Sequence, residues 1–100
     1  MAQKLQIQYD DMDSIAQSMD RFADSVNDHM QRIQRLVGDL QGGGWKGVGA
    51  DAFYDEMLNE VLPKLDILKT GFEVAGTETR RISQMFNDAE QTILSYFASL

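Results

Sequence analysis

Apolar residues recur at alternating steps of three and four between Met12 and Leu40. This spacing places them in one stripe along an α-helix, as in helices that pack against each other. The stripe, called here the first seam, consists of Met12, Ile15, Met19, Phe22, Val26, His29, Ile33, Leu36 and Leu40. A second apolar column runs beside it at Ala16, Ala23, Met30 and Val37. Three apolar columns in a heptad are too wide for one neighbouring helix, so we expect this helix to contact more than one.

The same alternation fills the second half of the chain. This second seam consists of Leu58, Val61, Leu65, Leu68, Phe72, Ala75, Thr79, Ile82, Phe86, Ala89, Ile93, Tyr96 and Leu100. Pro63 falls inside it, and the seam keeps its phase across the proline. Because proline lacks a main-chain donor and clashes with the preceding turn, we expect a kinked but continuous helix. The small residues Gly71, Ala75, Gly76 and Thr79 favour a close helix crossing over a functional hinge.

Five of the eight glycines lie between the two seams, in the stretch 42–49, together with the only tryptophan, Trp45. Glycine disfavours helix, so the stretch predicts the bend of a helical hairpin. Asp10 is a good N-cap for the first helix, and Gly42 is a plausible residue to end it. The sequence predicts a single all-α domain over residues 1–100, with helix one at about 10–41, a bend at 42–49 and helix two at about 50–98.

The predicted lengths leave part of helix two uncovered. If the chain folds back at Trp45, the start of helix one lies opposite residue 80 or so, and the apolar residues from Ile82 onward lack a neighbour in their own chain. Two helices also bury little apolar area for an independent fold. We therefore expect a dimer that forms a four-helix bundle. The dimer and core residues are expected to be Ile15, Met19, Phe22, Val26, Ile33, Leu65, Leu68 and Phe72.

Composition narrows the function. The net charge of -7 disfavours nucleic acid and anionic membrane surfaces as partners. The chain has no cysteine and one histidine, His29, which we interpret as a half-buried packing residue rather than a pH switch. The sequence contains neither a catalytic constellation nor the spacing of a calcium or phosphate loop. We therefore expect no enzyme activity, no cofactor, no metal and no small-molecule substrate. The first residues also lack the pattern of a cleaved signal peptide.

An acidic, cysteine-free chain with two helical arms around Trp45-Lys46-Gly47 resembles the WXG family, the small ESAT-like substrates of bacterial type VII secretion. The segment Ala50-Asp51-Ala52-Phe53 that opens helix two strengthens the resemblance, which covers nearly the whole chain. The resemblance implies a hairpin that dimerises, usually antiparallel, into a four-helix bundle. It also implies a cytoplasmic protein that is secreted without a cleaved signal peptide.

The family has a second mark, a Tyr-x-x-x-Asp/Glu motif on helix two. In this chain Phe86-Asn87-Asp88-Ala89-Glu90 fits it with phenylalanine in place of tyrosine. The resemblance thus implies an export signal of Trp45, Gly47, Phe86 and Glu90, read by a membrane-bound secretion ATPase. The alternative for Phe86 and Glu90 is a seam residue followed by a solvated flank. In an antiparallel dimer, Trp45 of one chain would approach the Phe86–Glu90 turn of the other.

Two other functions remain open at this point. The protein could be a targeting or chaperone partner that pairs with a larger secreted toxin, in which case it would self-associate weakly. It could instead be a cytosolic helical adaptor in which Trp45 closes the end of the bundle. The partner is accordingly expected to be a second copy or a related helical hairpin.

Overall fold

The computed structural model describes residues 2–100, with side chains from Gln8 onward. Within this range the elements are α1 (Ala2–Gly42), α2 (Val48–Glu56), a π-helical turn (Met57–Val61) and α3 (Leu62–Ala98). The π-helical turn joins α2 to α3 without a break, so the chain forms two helical arms and one bend. This is the helical hairpin that the two seams predict.

The first arm is longer than expected. The sequence predicts a start near Asp10, but α1 begins at Ala2. Residues 2–9 contain no glycine or proline and several good helix formers, so nothing in them opposes a helix. The prediction of Asp10 as the N-cap is therefore wrong, because Asp10 lies inside the helix.

Pro63 disturbs the second arm in a specific way. The main-chain N–H of Leu62 bonds to the carbonyl oxygen of Met57, five residues back, instead of the usual four. A π-helical turn of this kind absorbs a local mismatch in the helix. The helix therefore continues through Pro63, as the unbroken phase of the second seam predicts.

The chain divides into two compact units. The first, called here the bend unit, is Arg21–Phe72. Its core is formed by Val37, Ala50 and Tyr54, which are all buried. Four half-buried apolar residues pack on this core: Ile33, Leu40, Phe53 and Met57. Farther along the same unit, the rings of Phe22 and Phe72 lie 5.3 Å apart and join α1 to α3.

The other unit, called here the terminal unit, combines the residues up to Asp20 with Glu73–Leu100. Its helices approach closely at Gly76, where a Cβ atom would lie 2.8 Å from Asp20 Oδ1 and 3.3 Å from the carbonyl oxygen of Ala16. Arg80 donates from Nη2 to Asp20 Oδ2 over 2.5 Å at the same level. The predicted close crossing is confirmed at Gly76. It does not extend to Gly71, where an added Cβ would meet no atom of another element within 4 Å.

The buried stripe of α1 is not centred where we expected. The most buried residues are Ala16, Ala23 and Val37, which belong to the second column rather than to the first seam. Ile15, Phe22 and Leu36 of the first seam are 49%, 48% and 54% exposed. His29 lies in the same column as Phe22 and Leu36 and is also exposed. The interpretation of a half-buried histidine is therefore wrong for the single chain. The hairpin buries the side of the wide apolar stripe that carries the second column. The side that carries Ile15, Phe22 and Leu36, called here the uncovered column, stays about half exposed.

Candidate functional site

Two glycines give the bend its course. Gly44 has a φ of 85° at the end of α1, and the N–H of Trp45 bonds to the carbonyl oxygen of Leu40 over 3.1 Å. This is the six-residue bond of a Schellman helix end, with Gly44 as its left-handed residue. Gly42, which we expected in that role, is instead the last residue of α1.

Gly47 starts the second arm. It is the N-cap of α2 with φ 124° and ψ 177°, a region that residues with a side chain hardly ever adopt. Its carbonyl oxygen accepts the first helical bond, from the N–H of Asp51, over 2.9 Å. The glycine of Trp-x-Gly is therefore required by the backbone itself.

Trp45 is held against the second arm by an aromatic cluster. Its ring lies 5.3 Å from that of Phe53 and 5.5 Å from that of Tyr54, both in edge-on geometry. The Tyr54 hydroxyl donates a hydrogen bond of 2.7 Å to the main-chain carbonyl of Trp45. The indole nevertheless stays 44% exposed. The bend thus presents a fixed aromatic face to solvent.

Sequence reasoning did not identify Tyr54, whose side chain closes the bend. Its neighbourhood is apolar, and this burial, together with the negative charge of Asp51, raises the pKa of the phenol. A signal was available in the sequence. Tyr54 lies one helical turn after Ala50, and the same face of α2 points back at the bend.

The Phe86–Glu90 turn is not an overhang. Tyr9 of α1 donates its hydroxyl to Glu90 Oε2 over 2.8 Å, so this part of α3 has a neighbour in its own chain. The expectation that helix two is uncovered from Ile82 onward is wrong at Glu90, because α1 starts before Asp10 and Tyr9 contacts α3 farther along than a fold about Trp45 predicts. Several apolar residues nevertheless stay more than half exposed, namely Phe86, Ile93, Tyr96, Phe97 and Leu100. Glu90 is half-buried rather than a solvated flank, and its bond to Tyr9 raises the pKa of the tyrosine phenol.

Phe86 itself is 62% exposed. Together with Tyr9 and Met12 it borders a groove of about 440 Å³, which Gln8 and Asp11 also line among the described side chains. Tyr9 also borders a polar groove of about 330 Å³, which is lined further by Asp13, Arg80, Ser83, Gln84 and Asn87. Tyr9 is thus the second residue that sequence reasoning missed. A fold about Trp45 places Tyr9 opposite about residue 81, so the alignment of the two helices, and not only the start of α1, had to be known to find this contact.

The remaining predicted seam residues divide into two groups. Met19, Val26, Ile33, Leu65 and Phe72 are half-buried within the hairpin. Leu68 is 46% exposed, in the same range as Ile15 and Phe22. Farther along α3, Ile93, Tyr96 and Phe97 are each more than half exposed. Apolar surface of this extent is typical of a protein that binds another macromolecule.

The described residues offer little for chemistry. Among them, no cluster of three His, Asp or Glu side chains is arranged to hold a metal ion. The Asp20 carboxylate, whose pKa is lowered by the bond from Arg80, belongs to the helix crossing. No helix in the described range is long and apolar enough to cross a membrane. The geometry is that of a binding surface.

Comparison with known proteins gives a match at the level of a family. No curated protein and no solved structure matches the chain. The profile of the WXG100 family, described as proteins of 100 residues with WXG, matches residues 4–91. This range includes both arms, the bend with Trp45 and Gly47, and the Phe86–Glu90 turn. The chain therefore belongs to the WXG100 family and is an ESAT-like, type VII-associated small helical protein.

Proposed function

We propose that this protein is exported by a type VII secretion system as a dimer of helical hairpins, and that Trp45 is part of its export signal. Proteins of the WXG100 family are secreted through such systems, and the family is not known for enzymatic activity. The observation that carries the proposal is the state of Trp45. A ring packed against Phe53 and Tyr54 and still 44% exposed is ordered in advance for recognition.

The uncovered column of α1 supports the dimer. Ile15, Phe22 and Leu36 recur every seven or fourteen residues and are about half exposed, so they form an apolar strip along the helix that His29 interrupts. A second hairpin that packs on this strip completes a four-helix bundle. The partner is a second copy of this chain or a related helical hairpin.

The second part of the proposed signal is the turn from Phe86 to Glu90. In an antiparallel dimer the bend of one hairpin approaches the Phe86–Glu90 turn of the other, which brings Trp45 of one protomer near Phe86 of its partner. The dimer then carries an aromatic patch with an adjacent carboxylate, in two copies if both chains are identical. The membrane-bound secretion ATPase is the proposed reader of this patch.

The test compares secretion of two variants in the native host. Trp45→Ala removes the ring, while the heptad seams lie outside the bend and keep the helices intact by circular dichroism. Val48→Ala is the matched control, because Val48 is an apolar residue of the same region that is 89% exposed. We expect Trp45→Ala to accumulate in the cells and Val48→Ala to reach the medium. Wild-type secretion of Trp45→Ala, or melting of its helices, would remove the support for a signal in the bend.

Two alternatives are separated by independent measurements. A targeting or chaperone partner of a larger toxin would be largely monomeric alone and would form a stable complex when light scattering is repeated with cell extract. A cytosolic helical adaptor would stay in the cell whatever the state of the secretion system. Secretion that is lost in a strain without the ATPase excludes the adaptor.

A further inference from the structure

The Tyr9–Glu90 bond joins two elements that are far apart in the sequence. Tyr9 lies near the start of α1, and Glu90 lies late in α3. Among residues 8–100, the group that donates a hydrogen bond to the Glu90 carboxylate is the hydroxyl of Tyr9. A bond to a carboxylate is stronger and more directional than one between neutral groups, so Tyr9 fixes the direction in which Glu90 presents its charge.

The same tyrosine forms one wall of the groove beside Phe86. Phe86, Met12 and the ring of Tyr9 make this groove mainly apolar, and Asp11 adds a carboxylate at its border. Tyr9 therefore connects the apolar groove, which its ring lines, with the Glu90 carboxylate, to which its hydroxyl is bonded. Neither α1 nor α3 alone carries this combination.

The charges near the groove indicate the chemistry of its partner. The terminal unit contains eight carboxylates but only three cationic side chains in its sequence. Of these three, Arg80 is bound to Asp20 and Arg81 to Glu78. A segment that is both apolar and cationic complements such a surface, whereas an acidic segment is repelled.

We propose that Tyr9 is a positioning residue of a composite docking site, in which Tyr9, Phe86 and Glu90 together receive an apolar, cationic segment of the secretion ATPase. This inference rests on the proposed export function. It changes what the ATPase reads, from a linear stretch of α3 to a surface built across two helices. Only a chain in which the start of α1 is packed on α3 then presents the site. Export is thereby coupled to the folded state of the terminal unit.

The experiment removes single groups and leaves the shapes unchanged. Tyr9→Phe deletes the hydroxyl, Glu90→Gln deletes the charge, and the double variant deletes both. Tyr96→Phe is the matched control, because it deletes the hydroxyl of an exposed tyrosine on α3. The readouts are secretion in the native host and binding of the purified protein to the purified cytosolic part of the ATPase at increasing NaCl.

We expect Tyr9→Phe and Glu90→Gln each to weaken binding by about tenfold, the scale of one hydrogen bond to a charged group. The double variant should be no weaker than Glu90→Gln alone, because the hydroxyl has no charge left to orient. Tyr96→Phe should bind and be secreted like the wild type. Binding should also weaken as salt increases, and less steeply for Glu90→Gln.

A purely structural role for Tyr9 makes a different prediction. Met19→Ala loosens the packing of the terminal unit outside the groove, because Met19 lies against Gly76, and it leaves the Glu90 bond in place. If Tyr9→Phe and Met19→Ala lose binding in proportion to their melting temperatures, Tyr9 acts through stability and the inference is wrong. Additive effects in the double variant, or unchanged binding of Tyr9→Phe, overturn it as well.

Failure of the inference and failure of the proposed function are distinguishable. If Glu90→Gln weakens export and Tyr9→Phe does not, Tyr9 has no part in the site but the export signal stands. If Trp45→Ala and Glu90→Gln are both secreted like the wild type, the proposed signal itself is wrong.

Discussion

The hydroxyl of Tyr54 bonds to the main-chain carbonyl of Trp45 over 2.7 Å, while the rings of the two residues meet edge-on at 5.5 Å. The second arm thus fixes both the backbone and the side chain of the bend. Because contacts with Tyr54 fix the position of Trp45, substitutions of Tyr54 can loosen the indole without removing it. They test whether a fixed position of the indole is needed.

Tyr54→Phe keeps the ring contact and deletes only the bond. We expect the melting temperature to fall by a few degrees, because the Trp45 carbonyl loses its partner next to a buried cluster. Helicity at room temperature should stay unchanged. The tryptophan fluorescence should show a more mobile indole, measurable as lower anisotropy. An unchanged anisotropy would mean that the two ring contacts alone hold Trp45.

The backbone of Gly47 leads to a second prediction. With φ at 124° and ψ at 177°, an added Cβ is strained although no atom lies within 4 Å of its position. Gly47→Ala should therefore cost about 1–3 kcal/mol of unfolding free energy. Gly49→Ala is the control, since Gly49 lies in the first turn of α2 and has open space around it. It should stabilise the protein by about 0.5–1 kcal/mol, and urea unfolding followed by circular dichroism measures both.

The hairpin was predictable because its signals are local. Two heptad seams and a glycine-rich stretch require no knowledge of what lies across from each residue. The start of α1 was not predictable in the same way. Asp10 has the chemistry of an N-cap, but the residues before it are also compatible with helix, and the sequence alone does not choose between the two.

The sequence also did not show which apolar column of α1 is buried. Periodicity identified three apolar columns on α1 but not which of them faces α3. A small residue takes part in this choice, because Ala16 lets the backbone of α1 approach Gly76, where an added Cβ would lie 3.3 Å from the Ala16 carbonyl oxygen. The Tyr9–Glu90 bond was missed for a related reason, since it depends on where two helices align rather than on either sequence alone.

The crossing at Gly76 gives a matched pair of glycine substitutions. A Cβ at Gly76 would lie 2.8 Å from Asp20 Oδ1, so Gly76→Ala must displace the side chain that binds Arg80. Gly71→Ala meets nothing within 4 Å and gains helix propensity. We expect Gly76→Ala to lower the unfolding midpoint in urea and Gly71→Ala to raise the unfolding free energy by about 0.5–1 kcal/mol. Similar effects of the two changes would contradict the close crossing.

The bond to Glu90 predicts a pH effect in the alkaline range. It raises the pKa of Tyr9 above the ordinary value, which an unfolded chain retains. The stabilisation is therefore fully present below about pH 10 and is lost as the pH rises through the raised pKa. Asp13 and Arg80 border the polar groove beside Tyr9.

The measurement is a residue-resolved NMR titration of the tyrosine rings. In the wild type the phenol of Tyr9 should keep its proton to higher pH than in Glu90→Gln, where the charge that opposes ionisation is gone. Tyr54 is the internal control, because its raised pKa comes from burial and from Asp51 and should not respond to Glu90→Gln. Equal Tyr9 titrations in the two proteins would show that the bond does not persist in solution.

Two neighbouring residues of α1 separate assembly from folding. Leu36 is 54% exposed on the uncovered column, and Val37 is 2% exposed in the core of the bend unit. Leu36→Asp should leave the hairpin folded and weaken the dimer at least about tenfold, because a charge then faces the partner's apolar strip. Val37→Asp should unfold the protein, because its carboxylate is buried without a partner. Circular dichroism reports the folding, and light scattering across a concentration series reports the assembly. If Leu36→Asp dimerises as tightly as the wild type, the uncovered column is not the dimer interface, and the exposed apolar residues of α3 become the surface to test next.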